Sequence, residues 1–148
     1  MNSLINVQKV VEEQLLETVF RIRHKVFVIG QNVPHEEEFD QYEEESFHFL
    51  ASCDGKPAGV ARWRFKNDGV KLERFAVLEE YRSKGVGSAL VKALEDDILS
   101  HPETKAGDRV YLHAQLTAMG LYEKFNYQKS GDIFLECEIE HYMMEKII

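Results

Sequence analysis

The residues best suited to chemistry in this chain form one short basic stretch: Arg82, Ser83, Lys84, Gly85, Val86, Gly87 and Ser88. It follows the apolar run Phe75-Ala76-Val77-Leu78 and opens a segment in which Val86, Leu90, Ala93, Leu94 and Ile98 recur at helical spacing. That order predicts a strand, a tight loop and a helix start. The first turn of a helix carries unpaired N–H groups and a partial positive charge, so it seats a phosphate. Gly85 and Gly87 lack the side chains that would hold a pyrophosphate off the backbone. A phosphorylated cofactor is expected here, although a basic turn before a capped helix would give the same pattern.

Two common phosphate loops are excluded. A Walker loop needs Lys-Ser or Lys-Thr after its last glycine, and Gly87 is followed by Ser88-Ala89. A dinucleotide fingerprint needs a small residue three places after its second glycine, where this chain has Leu90. Arg82-x-x-Gly85-x-Gly87 instead resembles the acyl-CoA loop of the GCN5-related N-acetyltransferase (GNAT) superfamily. Leu121-Tyr122-Glu123-Lys124 resembles the second signature of that superfamily, a helix end followed by a glycine and an aromatic. Asn126 stands at the glycine position, and asparagine is the next best residue for a left-handed cap. Arg21 to Val28, Gln31 to Asp40 and Leu112-His113-Ala114-Gln115 resemble the branch related to the ElaA and YjcF proteins. The resemblance implies an α/β fold. Its central sheet would be mixed and mostly antiparallel, flanked by helices, with fourth and fifth strands that splay apart to admit acetyl-CoA.

Acetyl transfer to an amine sets four tasks, and the resemblance distributes them. Backbone N–H groups from Arg82 to Ser88 would hold the pyrophosphate, with Arg82 and Lys84 adding charge. An exposed strand backbone at Phe75, Ala76 and Val77 would pair with the pantetheine amides and turn an N–H toward the thioester oxygen. Tyr122 is the candidate acid, because a phenol titrates near 10 and a thiol near 8.5. The base is Glu73, His113 or a chain of waters. Glu73 lies two residues before Phe75, hence on the same face of a regular strand, where partial burial would raise its pKa. His113 shares a strand face with Tyr111 and Gln115 and titrates near neutral pH unaided. Each also has a structural reading: Glu73 paired with Arg62 or Arg74, and His113 as a satisfied core residue. Gln115 stands where many relatives carry asparagine, which leaves that contact to the pantetheine arm open.

The whole chain of 148 residues is long enough for one domain with its own core, and no linker or repeat divides residues 1–148. Its net charge of −8 arises in one run, Glu36, Glu37, Glu38, Asp40, Glu43, Glu44 and Glu45. A nucleic-acid partner is excluded by the lack of clustered Lys and Arg. The run reads as a solvated face or as an acidic lip for a cationic amine, with Glu38 and Asp40 as acceptor-binding candidates. No apolar stretch suits a membrane span. Cys53 and Cys137 show neither metal spacing nor a disulfide framework, so a reduced cytoplasmic protein with no metal is expected. Trp63, Arg62 and Arg64 are expected to pack and pair. His24, His35, His48, His101 and His141 carry no metal motif and read as scattered.

Strands are expected over residues 4–9, 47–52, 59–66 and 71–77, with a first helix marked by Leu15, Val19, Ile22 and Val26. Two closing strands are expected near 127–130 and 133–141, the second holding Cys137 as a small apolar residue. The expected function is acetyl transfer from acetyl-CoA to the primary amine of a small molecule, within a ternary complex. The alternative is an acyl-CoA sensor with little catalysis, and a homodimer through the last strands would be ordinary for this fold.

Overall fold

The computed structural model describes residues 3–148. Its strands are β1 (Ile5–Val10), β2 (Phe47–Cys53), β3 (Lys56–Lys66), β4 (Gly69–Val77), β5 (Arg109–Gln115), β6 (Gln128–Glu136) and β7 (Ile139–Ile147). They form one seven-stranded sheet in the order β1-β2-β3-β4-β5-β7-β6. β4 and β5 run parallel, and every other neighbouring pair is antiparallel. The helices are α1 (Glu13–Arg23), α2 (His35–Glu38), α3 (Val86–Ser100) and α4 (Met119–Glu123). A parallel pair needs a crossover, and α3 supplies it between β4 and β5.

Each face of the sheet is covered by one long helix. α3 buries Val86, Leu90, Val91, Leu94 and Ile98 against a layer that includes Trp63, Leu72 and Leu112. On the other face Val19 and Ile22 of α1, with Val26, pack on Leu50, Val60 and Ala76. α1 continues as a wider, π-type stretch over His24–Ile29, closed by the Gly30 N–H donating to the Lys25 carbonyl five residues back. The β2–β3 hairpin turns at Asp54 (φ 50°) and Gly55 (φ 83°), the two left-handed residues that such a tight turn requires.

Two irregularities position the site. Opposite β3, Val60 pairs with Ala76 and Arg62 with Glu73, so the single Ala61 faces both Arg74 and Phe75. Arg74 takes φ 60°, a conformation that costs a residue with a side chain about 1–2 kcal/mol. This bulge reverses the alternation of β4. β4 and β5 then pair only at Val70 with Val110, Lys71 with Tyr111 and Leu72 with Leu112, and part beyond.

The closing strands differ from expectation. β6 runs through Gly131 and Asp132 with a bulge between Ser130 and Phe134, and the chain reverses at Cys137 (φ 51°) and Glu138 (φ 64°). The glycine marked a bulge, not a strand end, and a reversal built from cysteine and glutamate carries no turn signature.

Candidate active site

The parted strands open a cavity of ≈ 740 Å³. One end is walled by Phe75, Ala76, Val77, Arg82, Ser83, Gly85, Val86, Gly87 and Ser88, all expected from the sequence to face a cofactor. Lys84 is exposed and stands outside this lining. The loop is shaped by a short helical turn at Glu79–Tyr81, by Ser83 (φ 63°) and by Gly85 (φ 93°), which caps α3. The Ala89 N–H donates to the Gly85 carbonyl at 3.0 Å, so the N–H groups of Val86, Gly87 and Ser88 precede the helical ladder and have no side-chain cap. A Cβ on Gly87 would stand 3.0 Å from Leu121 Cδ2, so this glycine also lets α3 approach α4 closely. Arg82 Nε donates to the Val77 carbonyl at 3.1 Å, tying the loop to the end of β4. Past Leu72, β5 no longer pairs with β4, which leaves the β4 backbone edge facing the cleft.

Tyr122 reaches the same cavity from α4. Its ring meets Phe75 edge-on at 5.5 Å, and burial pushes its phenol pKa up. On the opposite wall His113 Nδ1 lies 2.8 Å from Glu136 Oε2. A carboxylate only accepts, so Nδ1 donates, and in the neutral ring Nε2 carries the lone pair. The bond from His113 holds the Glu136 carboxyl below its usual range, against the effect of burial. The side-chain amides of Gln31 and Gln115 exchange bonds of 3.1 and 3.0 Å, joining the end of the helical segment that follows the π-type stretch to β5. Cys137 Sγ donates to Glu37 Oε2 at 3.0 Å, across the mouth formed by α2 and the β6–β7 turn.

Comparison with known proteins agrees with this geometry. Residues 8–148 match the family model of the acetyltransferase (GNAT) domain. The uncharacterized N-acetyltransferase YjcF of Bacillus subtilis is 41% identical over 135 residues, which span 90% of this chain and 94% of YjcF. The chain belongs to the GNAT acetyltransferase family. The crystal structure of Escherichia coli ElaA shares the fold with a TM-score of 0.81 at 24% identity, covering 97% of this chain and 99% of that one. A GNAT family acetyltransferase from Elizabethkingia anophelis, solved with acetyl-CoA bound, does so with a TM-score of 0.67 at 15% identity over 97% and 98% of the chains. Acetyl-CoA is the donor common to the family.

Within this GNAT domain three sequence expectations are corrected. Glu73 does not share a face with Phe75, because the bulge at Arg74 intervenes. Phe75 packs toward Tyr122, whereas Glu73, although it too lines the cavity, is bonded to Arg64, to Arg62 at 3.2 Å and to Lys71 at 3.4 Å. Burial alone would raise its pKa, but the Arg62 charge and the Arg64 bond hold it at about 2. A carboxylate so firmly ionised is a poor proton acceptor at neutral pH.

The acidic run divides: Glu36, Glu37, Glu44 and Glu45 are exposed, whereas Glu38, Asp40 and Glu43 turn inward to arginines. Glu38 is 3% exposed and bonded to Arg23 at 2.7 Å and Arg74 at 3.3 Å. It reaches the cavity lining, and burial raises its pKa against those two arginines. Asp40 lies outside the lining and binds Arg62 at 2.7 Å and Arg74 at 3.1 Å. Burial opposes its ionisation, yet the Arg62 bond holds it at about 2. Glu43 joins Arg23 to Arg62, each at 2.8 Å. Arg62 and Arg64 pair as expected, and Trp63 is fully buried.

Sequence reasoning missed Gln31, Glu136 and His141, all of which line the cavity. The approach of Glu136 and His141 depends on strand register and that of Gln31 on how the helical segment around it packs, neither of which a local pattern carried. Among the described residues, no group of three or more His, Cys, Asp or Glu is placed to hold a metal ion.

Proposed function

We propose that this GNAT domain moves the acetyl group of acetyl-CoA directly onto the primary amine of a small molecule, with both substrates bound. The observation that carries this reading is the parted β4–β5 cleft. It joins the uncapped start of α3, the Tyr122 side chain and the His113–Glu136 pair in one cavity.

The N–H groups of Val86, Gly87 and Ser88 bind the pyrophosphate, in a loop shaped by Ser83 and Gly85. Arg82 and Lys84 add positive charge. The free β4 edge at Phe75, Ala76 and Val77 bonds the pantetheine amides, and one of its N–H groups stabilises the oxyanion that forms on attack. Burial disfavours phenolate at Tyr122, so it stays protonated near neutral pH and hands its proton to the departing thiolate. His113, oriented by Glu136, takes a proton from the attacking amine. An amine arrives as an ammonium. Glu37 and Glu136 suit it better than Glu38 and Asp40, since among the described residues neither carboxylate is paired with an arginine or lysine.

Calorimetric titration with acetyl-CoA, repeated with Gly87→Glu, tests the donor site. Binding in the wild type that disappears in the variant is expected; no binding in the wild type would sink the reading. CoA release is then measured with a panel of amines, amino sugars, polyamines and peptides. Tight donor binding with no acceptor-dependent release would leave an acyl-CoA sensor instead.

A further inference from the structure

His141 has no part in the roles above, yet its setting is that of a base. It stands on β7 directly across from Gln115, the last residue of β5, one pleat nearer the open end of the cleft than His113. It is 7% exposed and lines the cavity. Its Nδ1 lies 2.7 Å from the Ile139 carbonyl, which only accepts, so Nδ1 carries a proton and in the neutral ring Nε2 presents the lone pair. Nε2 has no hydrogen-bond partner among the described residues and is not sealed from solvent. His113 is set the same way by Glu136. Phe134 stands between the two imidazoles, edge-on to His113 at 5.0 Å and stacked on His141 at 5.8 Å.

The reaction needs more than one proton acceptor. A primary ammonium loses two protons on becoming an amide N–H, and the thiolate takes up one. We propose that His141 is a second catalytic base, working beside His113; the inference rests on the acetyl-transfer reading above. His141 Nε2 takes the first proton from the ammonium and so frees the amine lone pair. The C–N bond forms as the carbonyl electrons move to oxygen, and His113 Nε2 takes the second proton from nitrogen. The C–S bond then breaks as the oxyanion collapses. The thiolate takes the Tyr122 proton, one histidinium restores the phenol, and the other histidinium releases its proton to solvent.

The charged groups sharing the cavity wall with His141 favour this role. From β4 come Lys71, Glu73 and Arg74, from α2 come Glu37 and Glu38, and the loop before α3 and the end of α4 add Arg82 and Lys124. Lys71 pairs with Glu73 and Arg74 with Glu38. Glu136 of β6, bonded to His113 of β5, and Glu37 remain to stabilise an imidazolium.

Two measurements on the full chain test the proposal. Long-range ¹H–¹⁵N spectra above neutral pH should show His141 protonated at Nδ1; an Nε2-protonated ring overturns the inference alone. With acetyl-CoA and methylamine, kcat should rise on the acid side with a limiting log–log slope of two. H141N keeps a donor for the Ile139 carbonyl but has no base. It should lower kcat at least tenfold and reduce the slope to one, with KM for acetyl-CoA unchanged. Unchanged kcat, or a slope still of two, overturns the role of His141. Absent turnover of methylamine and of every panel amine, with acetyl-CoA bound, overturns the transfer reading and this inference with it.

Discussion

Replacing Glu73 with glutamine removes one charge from a buried layer of arginines and leaves the shape almost unchanged. The Glu73 carboxyl is held at about 2, against 4.5 for an ordinary glutamate. That gap corresponds to about 3 kcal/mol of stability at neutral pH. Because the folded value lies below the unfolded one, the contribution is whole above about pH 4.5 and fades as pH falls through about 2. Breaking one partner out of a buried ion pair costs about 3–5 kcal/mol. Arg62 keeps Asp40 and Glu43, which places Glu73→Gln near the lower end. Urea unfolding at pH 7 should show a loss of about 3 kcal/mol, and the difference should be roughly halved by pH 3. The melting temperature should fall by about 6–12 °C. At a temperature where the variant is folded, kcat should stay within a few-fold of wild type. A variant with wild-type stability and a hundredfold lower kcat would restore Glu73 as the base and refute the assignment of His113.

Asp40→Asn should likewise lower stability by about 2 kcal/mol above pH 4, a loss that vanishes as pH falls through about 2, because the folded carboxyl sits below its ordinary value. Its acceptor KM should be unchanged; a rise of tenfold or more would return Asp40 to the acceptor site. Tyr122→Phe should bind acetyl-CoA as tightly as wild type while kcat falls at least tenfold, and equal turnover would remove Tyr122 from the chemistry. Cys137, its thiol pushed up to about 11 by burial and by the bond to Glu37, should resist iodoacetamide at pH 8. Glu37→Gln should speed that alkylation, and an unchanged rate would mean that the contact across the mouth is not kept in solution.

What the sequence revealed and what it hid divide along a physical line. The loop from Arg82 to Ser88, the α3 stripe, the Asp54-Gly55 hairpin and the alternation of β5 are local. Each is specified by residues a few places apart, and each lies where its pattern put it. The ion layer is not local. Arg23, Asp40, Glu43, Arg62 and Glu73 meet only when α1, the segment after α2, β3 and β4 are assembled. A run of acids looks the same in sequence whether water or arginine covers it. The base candidates suffered equally: Glu136 approaches His113 through the shared partner β7, and His141 gains its fixed tautomer from a carbonyl.

The bulge at Arg74 connects these two halves. One extra residue in β4 turns Glu73 down into the arginine layer and presents Phe75 to Tyr122 and the cleft. Left-handed backbone at an arginine is unfavourable, so something must hold it. Arg74 is tethered by Nε to the Glu38 carbonyl at 3.3 Å and by a terminal nitrogen to Asp40 at 3.1 Å. Glu38 and Asp40 therefore fix the strand geometry that bares the β4 edge, the edge proposed above to take the donor. Glu38 and Asp40 thus serve by position, and in the proposed reaction the charge left to meet an incoming ammonium is that of Glu37, exposed on α2 beside Glu38, and of Glu136 across the mouth.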